Sequence, residues 1–245
     1  MINNIALDAQ QLSQDTTAQL KQKLLQLTQD GDFQPLKKKV QFYQEHLEPI
    51  VTELSRRNPY PQPEDQLDCI LGVWTPVWST IPFQDILPGR IAEQSYQIFH
   101  DNGLYANIAR YAPGNKLKLG WLQKLTSVLL AFDLAIVQKY GVQDGQWQIE
   151  NVAIKQAIRW QGIALTISKA DSWFTKIVES NSSVAKKAEE VDLKNLNTST
   201  AKKFKTALGA KPQFEHLYID NDFRVIKTRR EVKQRPSYTI AIRRK

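Results

Sequence analysis

The spacing of apolar residues changes once along this chain, and a run of three prolines marks the place. Upstream, Leu20, Leu24 and Leu27 form one stripe. After the Asp30-Gly31-Asp32 turn, Phe33, Leu36, Val40, Tyr43, Leu47, Ile50, Val51 and Leu54 recur at steps of three and four, the mark of amphipathic helices. Pro49 falls inside that pattern and is expected to end or kink the helix near Glu48, because it lacks an N–H and its ring crowds the preceding turn. Asn58-Pro59-Tyr60-Pro61-Gln62-Pro63 then stops it, since prolines remove donors and hold the chain extended.

Beyond the prolines the period is two. Leu104, Ala106 and Ile108 alternate with Tyr105, Asn107 and Ala109. Phe132, Leu134 and Ile136 alternate with Ala131, Asp133 and Ala135. Val152, Ile154, Ile158 and Trp160 share one face, interrupted by Gln156, and Tyr238, Ile240 and Ile242 repeat the pattern at the end. Asp101-Asn102-Gly103, Pro113-Gly114-Asn115, Asp144-Gly145, Gln161-Gly162 and Asp220-Asn221-Asp222 separate the runs. Asp144-Gly145 is the strongest hairpin signal, because both residues tolerate positive φ. Short alternating strands at this spacing imply a sandwich or a closed barrel. The expected organisation is a helical segment over 1–58, a Pro-rich hinge over 59–66 and a β domain over 67–245. Residues 171–209, with Trp173, Phe174, Ile177 and Val178, read as a helical insertion that crosses a barrel mouth. Thr198-Ser199-Thr200 reads as the cap of its second helix.

Charge is concentrated at one end. Residues 224–245 hold nine basic side chains and one acid, Glu231, which accounts for the whole formal net charge of +8. Such a hairpin suits an anionic surface, membrane or nucleic acid, and Lys and Arg also discourage edge pairing. Lys202, Lys203 and Lys205 could add to it. No stretch approaches the ~20 apolar residues of a membrane span. The N-terminus has neither a signal-peptide pattern nor the Arg- and Ser-rich look of a transit peptide. A single cysteine, Cys69, excludes an internal disulfide and fits a reducing compartment.

Catalytic chemistry is not announced. His46, His100 and His216 are scattered, and one cysteine cannot complete a zinc site. Walker, Gly-x-Gly-x-x-Gly and Gly-x-Ser-x-Gly motifs are missing from the sequence. Cys69 reads as a small buried hydrophobe. No cofactor is implied.

What the sequence does offer is an opening and a closing motif. Leu71-Gly72-Val73-Trp74-Thr75-Pro76-Val77-Trp78-Ser79-Thr80 begins the β region, and Tyr218-Ile219-Asp220-Asn221-Asp222-Phe223-Arg224 begins its closing hairpin. Gly72 lets the backbone approach closely, and Trp74 supplies an apolar plug whose N–H needs a partner. Together these ends, over roughly residues 67–242, resemble the plastid lipid-associated protein (fibrillin) family, cyanobacterial type. Trp78-Ser79 departs from the family's usual aromatic, often Tyr, followed by Ser or Thr. Lys227-Thr228-Arg229-Arg230-Glu231 replaces its Arg-Gly turn.

The resemblance implies a mainly β, lipocalin-like antiparallel barrel, closed by Gly72, Trp74, Asp220 and Arg224, with Arg224 against the Trp74 ring. It also implies non-enzymatic binding of a lipid, quinone or carotenoid, by a protein peripheral to the cytoplasmic side of thylakoid membranes or soluble in the cytoplasm, in support of thylakoid maintenance or photoprotection. Trp74, Trp78, Tyr105, Trp147 and Trp160, with Trp121 and Tyr111 nearby, are the residues expected to line the cavity or simply to fill it. Arg229, Arg230, Lys233 and Arg235 are the expected membrane-facing basic patch. Two alternatives stand beside this reading. One is a scaffold that binds a protein through its N-terminal helices; the other is a nucleic-acid module built on the basic hairpin, with no specific nucleic acid expected.

Overall fold

The computed structural model describes residues 9–82, 89–112, 130–182, 213–229 and 235–244. Two short helices open it, α1 (Ala9–Gln14) and α2 (Thr17–Thr28). α2 starts at a reciprocal cap in which the Thr16 hydroxyl accepts the Gln19 N–H, while the Gln19 side chain accepts the Thr16 N–H, satisfying two donors the first turn leaves free. Helices α3 (Leu36–Phe42) and α4 (Glu48–Arg56) are joined by a wider, π-helical turn, Tyr43–Leu47. Pro49 therefore neither ends nor breaks the helical run. It occupies the first turn of α4, where a missing N–H costs nothing, and the wide turn before it relieves the clash with the preceding carbonyl. The hinge is extended only in its first half, because Pro63–Gln66 forms a single 3₁₀ turn leading into α5 (Leu67–Ile70).

Eight antiparallel strands follow in chain order around a closed barrel. They are β1 (Gly72–Ser79), β2 (Arg90–Phe99), β3 (Leu104–Tyr111), β4 (Leu130–Gln143), β5 (Gln146–Trp160), β6 (Gln213–Ile219), β7 (Phe223–Arg229) and β8 (Ser237–Arg244). The Asp144-Gly145 signal is the β4–β5 turn, with both residues at positive φ, 52° and 69°. β1 pairs with β2 and with β8, which closes the cylinder. Between β5 and β6 the described residues supply one pair, Trp147 with Phe214. Tight turns join β2–β3, β4–β5 and β6–β7 at one end of the barrel.

Both helical layers lie on the outer wall. Leu12, Leu20, Leu24, Leu47, Ile50 and Leu54 share one buried cluster with Trp78, Tyr218, Phe223, Val225 and Ile240. Tyr43 stacks on Tyr238 at 3.7 Å between centroids. The amphipathic stripe thus covers the chain's own barrel. A polar latch reinforces it: the Ser79 N–H donates to Asp32 at 2.8 Å, and Arg90 pairs with the same carboxylate in a buried setting. Helix α6 (Ile167–Ser182) packs through Phe174 and Ile177 against Tyr96, Ile98, Ala106, Ile108 and Val137. These residues form the outward row of β2–β4, so α6 runs along the wall rather than across a mouth. Thr198-Ser199-Thr200 and the rest of the expected insertion lie outside the described residues.

A candidate ligand-binding interior

Trp74 sits inside the barrel at the tight-turn end, fully buried, and its indole N–H donates to the Ile70 carbonyl at 2.7 Å. Gly72 just before it holds a φ of +101°, and a Cβ there would meet the Arg243 guanidinium at 3.0 Å; only glycine takes that backbone without strain. The segment 63–71 closes this end. Gln66, 2% exposed, accepts N–H bonds from Trp147 and His216, both at 2.8 Å, and donates to the Tyr60 carbonyl at 2.7 Å. Arg243 bonds the carbonyls of Cys69 and Leu71 and lies 4.2 Å over the Trp74 ring. Phe99, Tyr105, Tyr140, Trp147, Ile149 and Ile219 fill the space above, with Phe99 and Tyr105 stacked at 4.5 Å. Burial pushes the Cys69 thiol up, with Arg243 opposing, which leaves it a poor nucleophile.

Above that plug runs a belt of polar side chains, of which the sequence pointed to Arg224 alone. Arg224, 0% exposed, donates through Nη2 to Gln97 at 2.5 Å. Gln97 donates to Asn107 at 2.8 Å, Asn107 to Gln138 at 2.9 Å, and Gln138 to Asn151 at 2.8 Å. The chain of amides crosses β2, β3, β4 and β5. On the other side Arg224 Nη1 meets His216 Nε2 at 3.5 Å. Since Nδ1 of His216 faces the Gln66 oxygen, which can only accept, the ring is the neutral Nδ1–H tautomer and Nε2 is the acceptor. Burial, and then the charge of Arg224, hold the His216 pKa well below its ordinary value. Arg224 also lies 4.7 Å over Trp74 and 4.9 Å over Phe99. Burial draws its pKa down to about 9, so it remains a cation at neutral pH. Among the described residues no carboxylate pairs with it, and its Nε–H has no partner.

The belt divides the interior. Below it the barrel is packed. On the open side the inward row carries Tyr111, Leu134, Ala109, Phe132 and Ile154, continuing to Gln156, Ile158 and Trp160 on β5. Ile158 is 64% and Trp160 57% exposed, although both occupy the inward register.

The residues expected from sequence therefore separate. Trp74, Tyr105 and Trp147 are together in the packed end, and Trp160 stands at the open rim. Trp78 is not inside. A bulge between Pro76 and Trp78 shifts the alternation by one, and Trp78 joins the helix-facing cluster. Trp121 lies outside the described residues. Asp220 accepts from the Asp222 and Phe223 N–H groups and shapes the β6–β7 turn. Tyr218 and Lys21 also donate to it, at 2.5 and 2.7 Å. Of the basic patch, Arg229 is half-buried and Arg235 exposed, while Arg230 and Lys233 lie outside the described residues. Arg224 and Arg243 belong to the interior, so the basic C-terminal run is not one continuous surface. The inward polar belt carries no sequence signal of its own, because its members are single residues on separate strands.

Among the described residues no group of His, Cys, Asp and Glu could hold a metal ion, and no helix is long and apolar enough to cross a membrane. Comparison with individual curated proteins returned no match. The PAP_fibrillin family model matches residues 18–232, a span that begins inside α2 and so takes in the helices that cover the barrel wall. With most of its length matched, this chain belongs to the PAP_fibrillin family of plastid lipid-associated proteins.

Proposed function

We propose that the protein binds a hydrophobic small molecule, a lipid, quinone or carotenoid, in the open half of its barrel without transforming it. Working peripherally at the cytoplasmic side of thylakoid membranes, it supports their maintenance or photoprotection. The observation that carries this reading is the apolar inward row from Leu134 to Ile158, which becomes more exposed toward the rim. Apolar walls with a few placed polar groups are what ligand pockets present. Membership of a family of plastid lipid-associated proteins supports the same reading. The scaffold alternative is weakened, because the stripe on α2–α4 is already buried against the barrel. The nucleic-acid alternative loses Arg224 and Arg243 to the interior. Native mass spectrometry of protein purified from a pigmented host tests the proposal. A co-purified apolar molecule is the expected result. Protein that is empty, and that takes up neither quinone nor carotenoid nor fatty acid, overturns it.

A further inference from the structure

A guanidinium with no exposed surface and, among the described residues, no carboxylate partner is an unusual thing to keep inside a barrel. Desolvating a cation is expensive unless it is paired. Two aromatic faces, Trp74 at 4.7 Å and Phe99 at 4.9 Å, offset part of that cost. Two neutral acceptors, Gln97 and His216, offset a further part. Five N–H donors meet these two acceptors, and Nε has none. Each neighbour is fixed in its role. The Gln97 amide is committed to Asn107, and the His216 ring is locked by Gln66. The acidic groups that act on Arg224, the Tyr105 hydroxyl and the Cys69 thiol, have their pKa values raised by burial, which favours their neutral forms.

We infer that Arg224 is the seat of a ligand's carboxylate, and that the barrel takes a single-chain amphiphile head-first. The headgroup sits at the Arg224–Gln97–His216 corner of the polar belt. The tail runs along Leu134, Ile154 and Ile158 toward the rim. A carboxylate suits the site better than a phosphate, because Arg224 offers a single unpartnered N–H and the nearby Arg243 is already engaged with the Cys69, Leu71 and Asn221 carbonyls, too few free donors for a phosphate's oxygens. Neutral His216 adds no further positive charge to the corner. The belt amides Asn107, Gln138 and Asn151 bond one another, so they separate the polar corner from the apolar wall without competing for the headgroup. This assignment rests on the hydrophobic-ligand reading and sharpens it, since a carotenoid hydrocarbon would leave Arg224 unpaired.

The test uses the full chain, stripped of co-purifying lipid, with oleate and its methyl ester as probes in calorimetric titrations. The two share a tail and differ in headgroup charge. Wild type should bind oleate about tenfold or more tightly than the ester, the size of a hydrogen bond to a charged group. Arg224→Gln should erase the preference, bringing the ratio of oleate to ester affinity to about one. An independent arm needs no variant: the carboxyl carbon of labelled oleate, followed by NMR against pH, should stay ionised to lower pH when bound than when free. Equal affinity of wild type for oleate and ester overturns the headgroup assignment while leaving hydrophobic binding standing. So does a bound carboxyl that titrates no lower than the free one. Failure of both probes to bind overturns the assignment, and the function it rests on falls with it only if quinone and carotenoid are refused as well.

Discussion

The guanidinium of Arg224 lies 4.7 Å from the centroid of the Trp74 ring, inside the barrel and away from water. Arg243 stands over the same ring at 4.2 Å. First and last strands are thus joined by side-chain contacts as well as by the β1–β8 ladder. Replacing Trp74 with Ala should cost about 3–5 kcal/mol, through lost burial and the cavity left behind. Arg224→Lys should cost less, because an ammonium keeps the charge and loses the planar stacking surface. Denaturant unfolding of both variants measures the order. A Trp74→Ala cost below that of Arg224→Lys would contradict it.

The helices are part of the folded core. Leu24, Leu47 and Leu54 are fully buried against a cluster that includes Trp78 and Val225. Removing residues 1–58 should expose that wall and yield a chain that binds ANS and aggregates. The milder Leu24→Ala should lower stability by about 2–4 kcal/mol. A soluble, cooperatively folded truncation would show that the wall does not need its cover.

Acid should act partly through Asp220. Burial raises its pKa, but bonds from Lys21, Tyr218 and the Asp222 backbone outweigh burial and hold it at about 2. A depressed carboxylate stabilises the fold fully above its unfolded value near ~4, and that contribution is lost as pH falls toward about 2. Lys21, raised by the same bonds against burial, behaves oppositely, its contribution lost only as pH rises through its elevated pKa. The pair is partly exposed, so the acid effect should be on the order of 1 kcal/mol. Asp220→Asn keeps the turn's acceptor oxygen and should flatten the loss of stability between pH 4 and 2. An unchanged pH profile would remove Asp220 from the account.

Membrane association, proposed as peripheral, should be electrostatic. Each basic residue near an anionic surface contributes up to about 1 kcal/mol, screened by salt. The protein should sediment with anionic liposomes, hardly at all with neutral ones, and be released at high salt. Replacing Arg229, Arg230, Lys233 and Arg235 with Gln should remove most of the binding. Equal binding to neutral vesicles would point to apolar insertion instead, with the exposed Ile158 and Trp160 at the rim as the first place to look.

The alternation in 104–108, 131–136, 152–160 and 238–242 is a local property, and each segment is a strand. The Asp144-Gly145 turn is equally local, because positive φ is a choice made by two residues. The helical stripe is legible as well, and Pro49 marks where regular α-helix resumes at Glu48 after the wider Tyr43–Leu47 turn rather than where the helical run stops. Which side of the wall a residue faces is a different kind of fact. Trp74 and Trp78 lie four apart and would share a face in a regular strand, yet one bulge against β8 puts them on opposite sides. The polar belt depends on register across five strands, so no short window of sequence contains it. The closing motif marks Arg224 as the partner of Trp74, but its links to Gln97 and His216 exist only once the barrel closes around it. Local periodicity therefore determined the elements and their turns. Only closure of the barrel, through non-local pairing and the bulges within it, decided what its interior holds.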